Sequence, residues 1–195
     1  AVLRLASYGD AQASLLPMAL HEARAKRNFT PLAGLFLMSS GGLRDAIAYG
    51  MHNTVVCAED LPYVDDRQVD RGRLAATYLG AEMLDSLRAI CGVWPVGPVD
   101  VDFRQPLASD VPVLLLSGSD DPVTPPSGAV AAMQGLKRAR HLLLDGQGHG
   151  QVGVTCMDRV LADFVRDADP AQLDATCLAK ARPAPFFTSP SGPPP

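Results

Sequence analysis

The spacing of apolar residues along the chain separates helical from strand segments. Over residues 14–27, Leu16, Leu20 and Ala23 recur near the helical repeat, and Asn28 ends the pattern. Thr30 followed by Pro31 has the form of an N-cap and first-turn proline, which predicts a second helix through Leu35 and Met38, broken at Gly41-Gly42. A short helical pattern over 43–49 leads into the β-branched run 54–56, read as a strand end carrying Cys57-Ala58-Glu59-Asp60. Residues 66–90 read as one long amphipathic helix, because Leu74, Tyr78, Leu79, Met83, Leu84, Leu87 and Ile90 share a broad face that Cys91-Gly92 closes. The proline-punctuated stretch WPVGPVDVDFRQP then carries the chain towards Asp110.

Residues 111–117 form a continuous apolar run of strand length, and continuity rather than alternation predicts a strand covered on both faces, as in a parallel sheet. A helix is predicted over 127–136 and a second buried strand over 141–144. Strand, helix and strand in this order make a crossover unit in which both strands point the same way. Residues 154–165 give another amphipathic helix, with Val154, Met157, Val160, Leu161, Phe164 and Val165 facing inward. A last short helix surrounds Leu173 and Cys177, and the tail ARPAPFFTSPSGPPP reads as extended or disordered beyond Phe187. The pattern is that of an α/β chain.

Composition sets the scale. With 195 residues and 47% hydrophobic content, the chain is long enough to bury about 70% of its unfolded surface, in one domain or most of one. A net charge of −4, with scattered basic residues, argues against nucleic acid and acidic membrane surfaces as partners. No apolar stretch reaches the ~18 residues of a spanning helix. Ala1 stands first without a leader pattern behind it, so the expectation is a removed leader or a longer gene product.

Cys57, Cys91, Cys156 and Cys177 lack the close spacing of a zinc site, and no metal site is expected. Four cysteines allow three pairings. In an exported protein the local solution joins Cys57 with Cys91 and Cys156 with Cys177, each bridge contributing about 3 kcal/mol; in a reducing compartment all four read as buried thiols.

Two corners carry the candidate chemistry. VLLLSGSDDPVTP places Asp120 and Asp121 just past the first buried strand, and HLLLDGQGHG places His149 just past the second. Ligands collect at the carboxyl ends of strands in an open parallel sheet, so an acid and an imidazole are brought to one rim. A buried carboxylate holds a histidine in the tautomer that accepts a proton from a nucleophile, and stabilises the imidazolium that follows. Asp-Gly and Asp-Pro pairs are also ordinary turn chemistry, and either corner alone reads as a surface loop. Their succession carries the functional reading, and spacing leaves both Asp120 and Asp121 open as the acid.

LLLSGSDDPVTPP (114–126), ARHLLLDGQGHG (139–150), CMDRVLADFV (156–165) and VVCAEDLPYV (55–64) resemble the C-terminal region of tripeptidyl aminopeptidase and proline iminopeptidase-like serine hydrolases. The resemblance implies the C-terminal portion of an α/β-hydrolase fold with parallel strands, crossover helices and helical cap elements. SYGDAQASLLPMALHEA (7–23) looks like part of the cap. The expected organisation is a cap-like segment over 1–56, hydrolase core over 57–182 and a proline-rich tail over 183–195. By position the family's triad acid falls on Asp121, before Pro122, and its base on His149. In such enzymes the cysteines tend to be disulfide-bonded and the proteins exported, so the resemblance favours both local disulfides and a secreted or periplasmic location.

No G-x-S-x-G nucleophile elbow is present: Ser39-Ser40-Gly41-Gly42 has glycines on one side only, and Ser117 and Ser119 merely flank Gly118. The order serine, acid, histidine places the expected nucleophile before Ala1, together with one oxyanion-hole donor. The chain alone is therefore expected to be inactive, and to associate with the missing N-terminal half of the core or with itself. Glu59, with Asp60 beside it, is the candidate to hold a substrate's α-ammonium; starting and capping the next segment is its competing role. Trp94 either lines a pocket or packs beside Cys91, and His21, His52 and His141 have no evident partner. The expected substrate is a peptide with a free N-terminus, or a small ester or lactone on the same fold, with no cofactor; a non-catalytic interaction module is the reading from another class.

Overall fold

The computed structural model describes residues 2–193. In chain order the helices are α1 (Val2–Ala6), α2 (Asp10–Ala13), α3 (Leu16–Lys26), α4 (Thr30–Ala46), α5 (Tyr49–Val55), α6 (Arg71–Ala75) and α7 (Glu82–Cys91). Strand β1 (Val113–Gly118), α8 (Pro126–Ala132), β2 (Ala139–Leu144) and α9 (Met157–Asp167) follow. Two compact units result, one formed by Ala1–Ser40 with Pro106–Pro195, the other by Gly41–Gln105.

In the first unit β1 and β2 are parallel and joined through α8, with Leu114 opposite Arg140, Leu116 opposite Leu142 and Gly118 opposite Leu144. The expected crossover unit is therefore present, and both strands end at the same rim. Leu114, Leu116, Leu142 and Leu144 pack against Met157, Val160, Leu161 and Phe164 of α9. Full burial of Met157 and Val160 contributes about 2 kcal/mol each. The Cys156–Cys177 disulfide staples the start of α9 to the 3-10 turn Thr176–Lys180, with Cα atoms 6.5 Å apart. Arg140 donates to the carbonyls of Pro170 and Leu173, tying β2 to the stretch between α9 and that turn.

Two expectations about this core need correction. Val165 is exposed, because Met157, Val160, Leu161 and Phe164 fall within a stripe about 100° wide, and Val165 lies beyond its edge. Leu143 is also exposed, so the face of β2 that carries it is not covered as a doubly buried strand would be.

The helices before β1 depart further from the sequence pattern. Helix α3 starts with Pro17 in its first turn and stops at Arg27, in the left-handed region at φ 53°. Helix α4 continues through Gly41-Gly42 to Ala46; each glycine costs roughly 1 kcal/mol in a helix without forbidding it. Residues 54–56 are not a strand: α5 runs into a π-turn, Val56–Asp60, and the Thr54 hydroxyl donates back to the Gly50 carbonyl. Three β-branched residues without a neighbouring strand yield to the helix around them.

The single helix read over 66–90 is a 3-10 turn, Asp66–Gln68, followed by α6 and α7. Asp65 accepts from the Arg67 N–H and Asp70 from the Arg73 N–H, each starting a fresh turn, and Gly80 at φ +58° separates the two helices. Cys57 is the one buried apolar side chain among the described residues of this second unit, so cross-linking does what a core would. The Cys57–Cys91 disulfide closes a span of 34 residues, worth roughly 4 kcal/mol in the loop-entropy model. Trp94 donates from Nε1 to the Thr54 hydroxyl at 3.1 Å, and Arg71 pairs with Asp85 at 2.8 Å.

The tail is ordered where it meets the first unit. Phe187 N–H donates to the Ser14 carbonyl, Ala184 N–H donates to Asp10, and an antiparallel bridge between Ser189 and Gly192 closes a turn where an extended or disordered tail was expected.

Candidate active site

Both corners leave the sheet at its carboxyl end, and backbone bonds hold them together. Ser119 N–H donates to the Leu144 carbonyl at 2.9 Å, Asp120 N–H to the Gln147 carbonyl at 3.0 Å, and Gly146 N–H to the Ser119 hydroxyl at 2.8 Å. The approach is so close that a Cβ at Gly118 would fall on the carbonyl oxygens of Gln147 and Gly148. A Cβ at Gly148 would meet the Tyr8 carbonyl, which accepts from the His149 N–H. Glycine at these two positions lets three segments converge on one point.

Asp121 and His149 meet there. Asp121 is 8% exposed, and its Oδ2 and Oδ1 lie 3.0 and 3.2 Å from His149 Nδ1. The carboxylate also accepts from the Val123 N–H at 2.7 Å, the Thr124 N–H at 3.0 Å and the Thr124 hydroxyl at 2.8 Å. Burial pushes this carboxyl upward, but donation by the Thr124 and Val123 N–H groups, by His149 and by the Thr124 hydroxyl outweighs it and holds the group at about 2. Asp121 is thus an anion at neutral pH.

An ionised carboxylate only accepts, so the ring nitrogen facing it carries the proton and Nε2 keeps a lone pair. The His149 side chain is 41% exposed against 4% for Asp121, an arrangement in which the buried anion orients an accessible base. Tyr8 presents its ring edge-on to the imidazole with centroids 5.8 Å apart, and the Arg4 guanidinium lies 5.5 Å from the Tyr8 ring centroid.

Asp120 takes no part in this contact; it is exposed and accepts from the Ser119 hydroxyl. Glu59 lies in the π-turn of the second unit, partly buried, with no hydrogen bond or ion pair among the described residues. All four cysteines are in the local disulfides, Cys57 with Cys91 and Cys156 with Cys177. Among the described residues no serine hydroxyl bonds the His149 ring: Ser39 and Ser40 belong to α4, and Ser117 is buried in β1.

A cavity of about 330 Å³ adjoins the two corners, lined among others by Asp10, Ala13, Asp120, Gly148, Pro183 and Phe186. A larger cleft of about 770 Å³ runs along β2 and the turn Thr176–Lys180; neither cavity has Asp121 or His149 in its walls. Sequence reasoning missed Val123, Thr124 and Tyr8. The Asp-x-x-Thr spacing is a side-chain turn pattern that signals Thr124, whereas nothing local connects Tyr8 with a histidine so far along the chain.

The family model described as TAP-like protein, an α/β-hydrolase group, matches residues 76–177, just over half of the chain, and encloses both Asp121 and His149. No curated protein and no solved structure matches the chain. The matched span, the mixed helices and parallel strands, and the two loops at their carboxyl ends agree: the chain belongs to the TAP-like protein family and carries a C-terminal part of its α/β-hydrolase fold.

Proposed function

We propose that this chain supplies the acid and the base of a serine hydrolase acting at peptide N-termini, with the nucleophilic serine contributed by a segment outside these 195 residues. The observation that carries the reading is the 3.0 Å contact between Asp121 Oδ2 and His149 Nδ1 at the carboxyl end of two parallel strands. His149 Nε2 takes the proton of the serine hydroxyl as its oxygen bonds to the substrate carbonyl, and Asp121 stabilises the imidazolium. The imidazolium gives that proton to the departing amine as the acyl–nitrogen bond breaks, leaving an acyl-serine. Water then attacks with His149 again as base, releasing the carboxylic acid and restoring the serine.

An ester would be cleaved by the same groups. Support for a peptide with a free amino terminus comes from the cavity beside the corners, whose lining includes the acids Asp10 and Asp120 together with Ala13, Pro183 and Phe186. Glu59 is a further anion proposed to hold the α-ammonium. We infer export as well, because two disulfides suit an oxidising compartment.

The test compares the full gene product with the 195-residue chain on aminoacyl and tripeptidyl chromogenic amides and on a p-nitrophenyl ester. The full product is expected to prefer the amides, to be silenced by a serine-directed reagent, and to lose on the order of 10⁴-fold in kcat with Asp121→Asn and on the order of 10⁶-fold with His149→Ala. The chain alone is expected to be inactive. Undiminished turnover in His149→Ala would sink the proposal; preference for the ester would move it to an esterase.

A further inference from the structure

We propose that Thr124 is a positioning residue of this site, its hydroxyl bridging the acid and the base so that the carboxylate and the imidazole tautomer are fixed together. The inference rests on the proposed roles of Asp121 and His149, but its geometry stands apart from any substrate. Thr124 Oγ1 lies 2.8 Å from Asp121 Oδ2 and 3.3 Å from His149 Nδ1, closing a triangle whose third side is the 3.0 Å contact between Asp121 and His149.

The proton count fixes the direction of each bond. A hydroxyl has one proton and two lone pairs, and the carboxylate can only accept, so the Thr124 proton goes to Asp121 Oδ2. The Thr124 lone pairs are then what His149 Nδ1 meets. A protonated Nδ1 faces three oxygen acceptors, Oδ1, Oδ2 and Oγ1, whereas the other tautomer would turn a lone pair on all three. Thr124 therefore adds to the selection of the tautomer that leaves Nε2 unprotonated.

Its own position is stiff. Pro122, Pro125 and Pro126 flank it with fixed φ, the branched Cβ restricts χ1, and its backbone N–H is bonded to Asp121 Oδ1. Oδ1 is held by two backbone N–H groups, so the hydroxyl is what secures the second carboxylate oxygen against leaving its partner. His149 is the titratable group in contact with Asp121. The Tyr8 ring packs against the imidazole, with the Arg4 guanidinium over the Tyr8 ring, and Asp120 is turned to Ser119.

Thr124→Val deletes the hydroxyl and keeps the shape and the backbone bond; Thr124→Ser keeps the hydroxyl. Thr124 is exposed, and Thr124→Ala provides a second deletion should valine disturb the loop. In the 195-residue chain, NMR reads the protonation of the two His149 ring nitrogens and the acid titration of the Asp121 carboxyl. Valine and alanine are expected to populate the Nε2–H tautomer and to move the Asp121 midpoint up from about 2 towards the ordinary carboxylate value, with serine as in the parent. In the full gene product, valine is expected to lower kcat roughly ten- to a hundredfold with KM within about twofold, and serine to restore it. Parent-like tautomer and midpoint in both deletions, or serine as impaired as valine, would overturn the proposal. Loss of the tautomer preference in a protein without turnover would uphold Thr124 while rejecting the hydrolase reading.

Discussion

Asp121→Asn should erase a definite part of the protein's dependence on acid. The folded state holds this carboxyl at about 2 against an ordinary value of 3.8, so folding favours the ionised form by about 2 kcal/mol. The sign follows from the direction: a depressed carboxyl stabilises the fold fully above the unfolded value, near pH 4, and that contribution is lost as pH falls through about 2. Asparagine has similar shape and no charge to lose. It should be less stable than the parent by about 2 kcal/mol at pH 5, and the gap should narrow towards zero near pH 2. Glu22, Asp65, Asp85, Asp167 and Asp174 are also held low by their partners, but they contribute equally to both proteins and cancel in the difference. Urea unfolding with disulfides intact, in half-unit steps from pH 5 to 2, reads this as a midpoint difference of about 1 M that closes with acid. A difference that is absent, or the same at every pH, would refute the claim that a buried carboxylate is held ionised here.

Other consequences are equally open to measurement. Gly118→Ala places a methyl on the carbonyls of Gln147 and Gly148, and should cost roughly 1–3 kcal/mol in a thermal melt while separating the Asp121 and His149 loops in NMR spectra. Replacing Cys156 and Cys177 together by alanine opens a span of 21 residues and should lower stability by about 3 kcal/mol, read by denaturant unfolding. Glu59→Gln in the full gene product should raise KM for an amide with a free amino terminus and leave an N-acylated ester unaffected; equal effects on both would remove Glu59 from ammonium recognition.

What the sequence made legible is the part governed by local burial. A continuous apolar run stopped by glycine marks a strand and its end, so β1, β2 and the rim carrying Asp121 and His149 could be read directly, although the cover on both faces that continuity implied fails at Leu143. The choice between Asp120 and Asp121 was not readable from spacing, because it depends on how the corner turns: Asp121 N–H returns to the Gly118 carbonyl while Asp120 opens to Ser119 and solvent. Periodicity misled over 66–90, where the helical spacing runs on in the sequence across breaks set by Asp65, Asp70 and Gly80, and Tyr78, Met83 and Ile90 of the expected face are exposed. It misled again at 54–56, where β-branching in a short run gave way to helical surroundings. Tyr8 was invisible because its contact with His149 joins opposite parts of the chain, which no window of sequence contains.

Whether Asp121 and His149 work as one unit is tested most directly by a double-mutant cycle on kcat/KM in the full gene product, using Asp121→Asn, His149→Ala and the pair. If the aspartate acts only through the imidazole, the double variant should be no slower than His149→Ala alone. Losses that multiply, each residue contributing independently of the other, would contradict it.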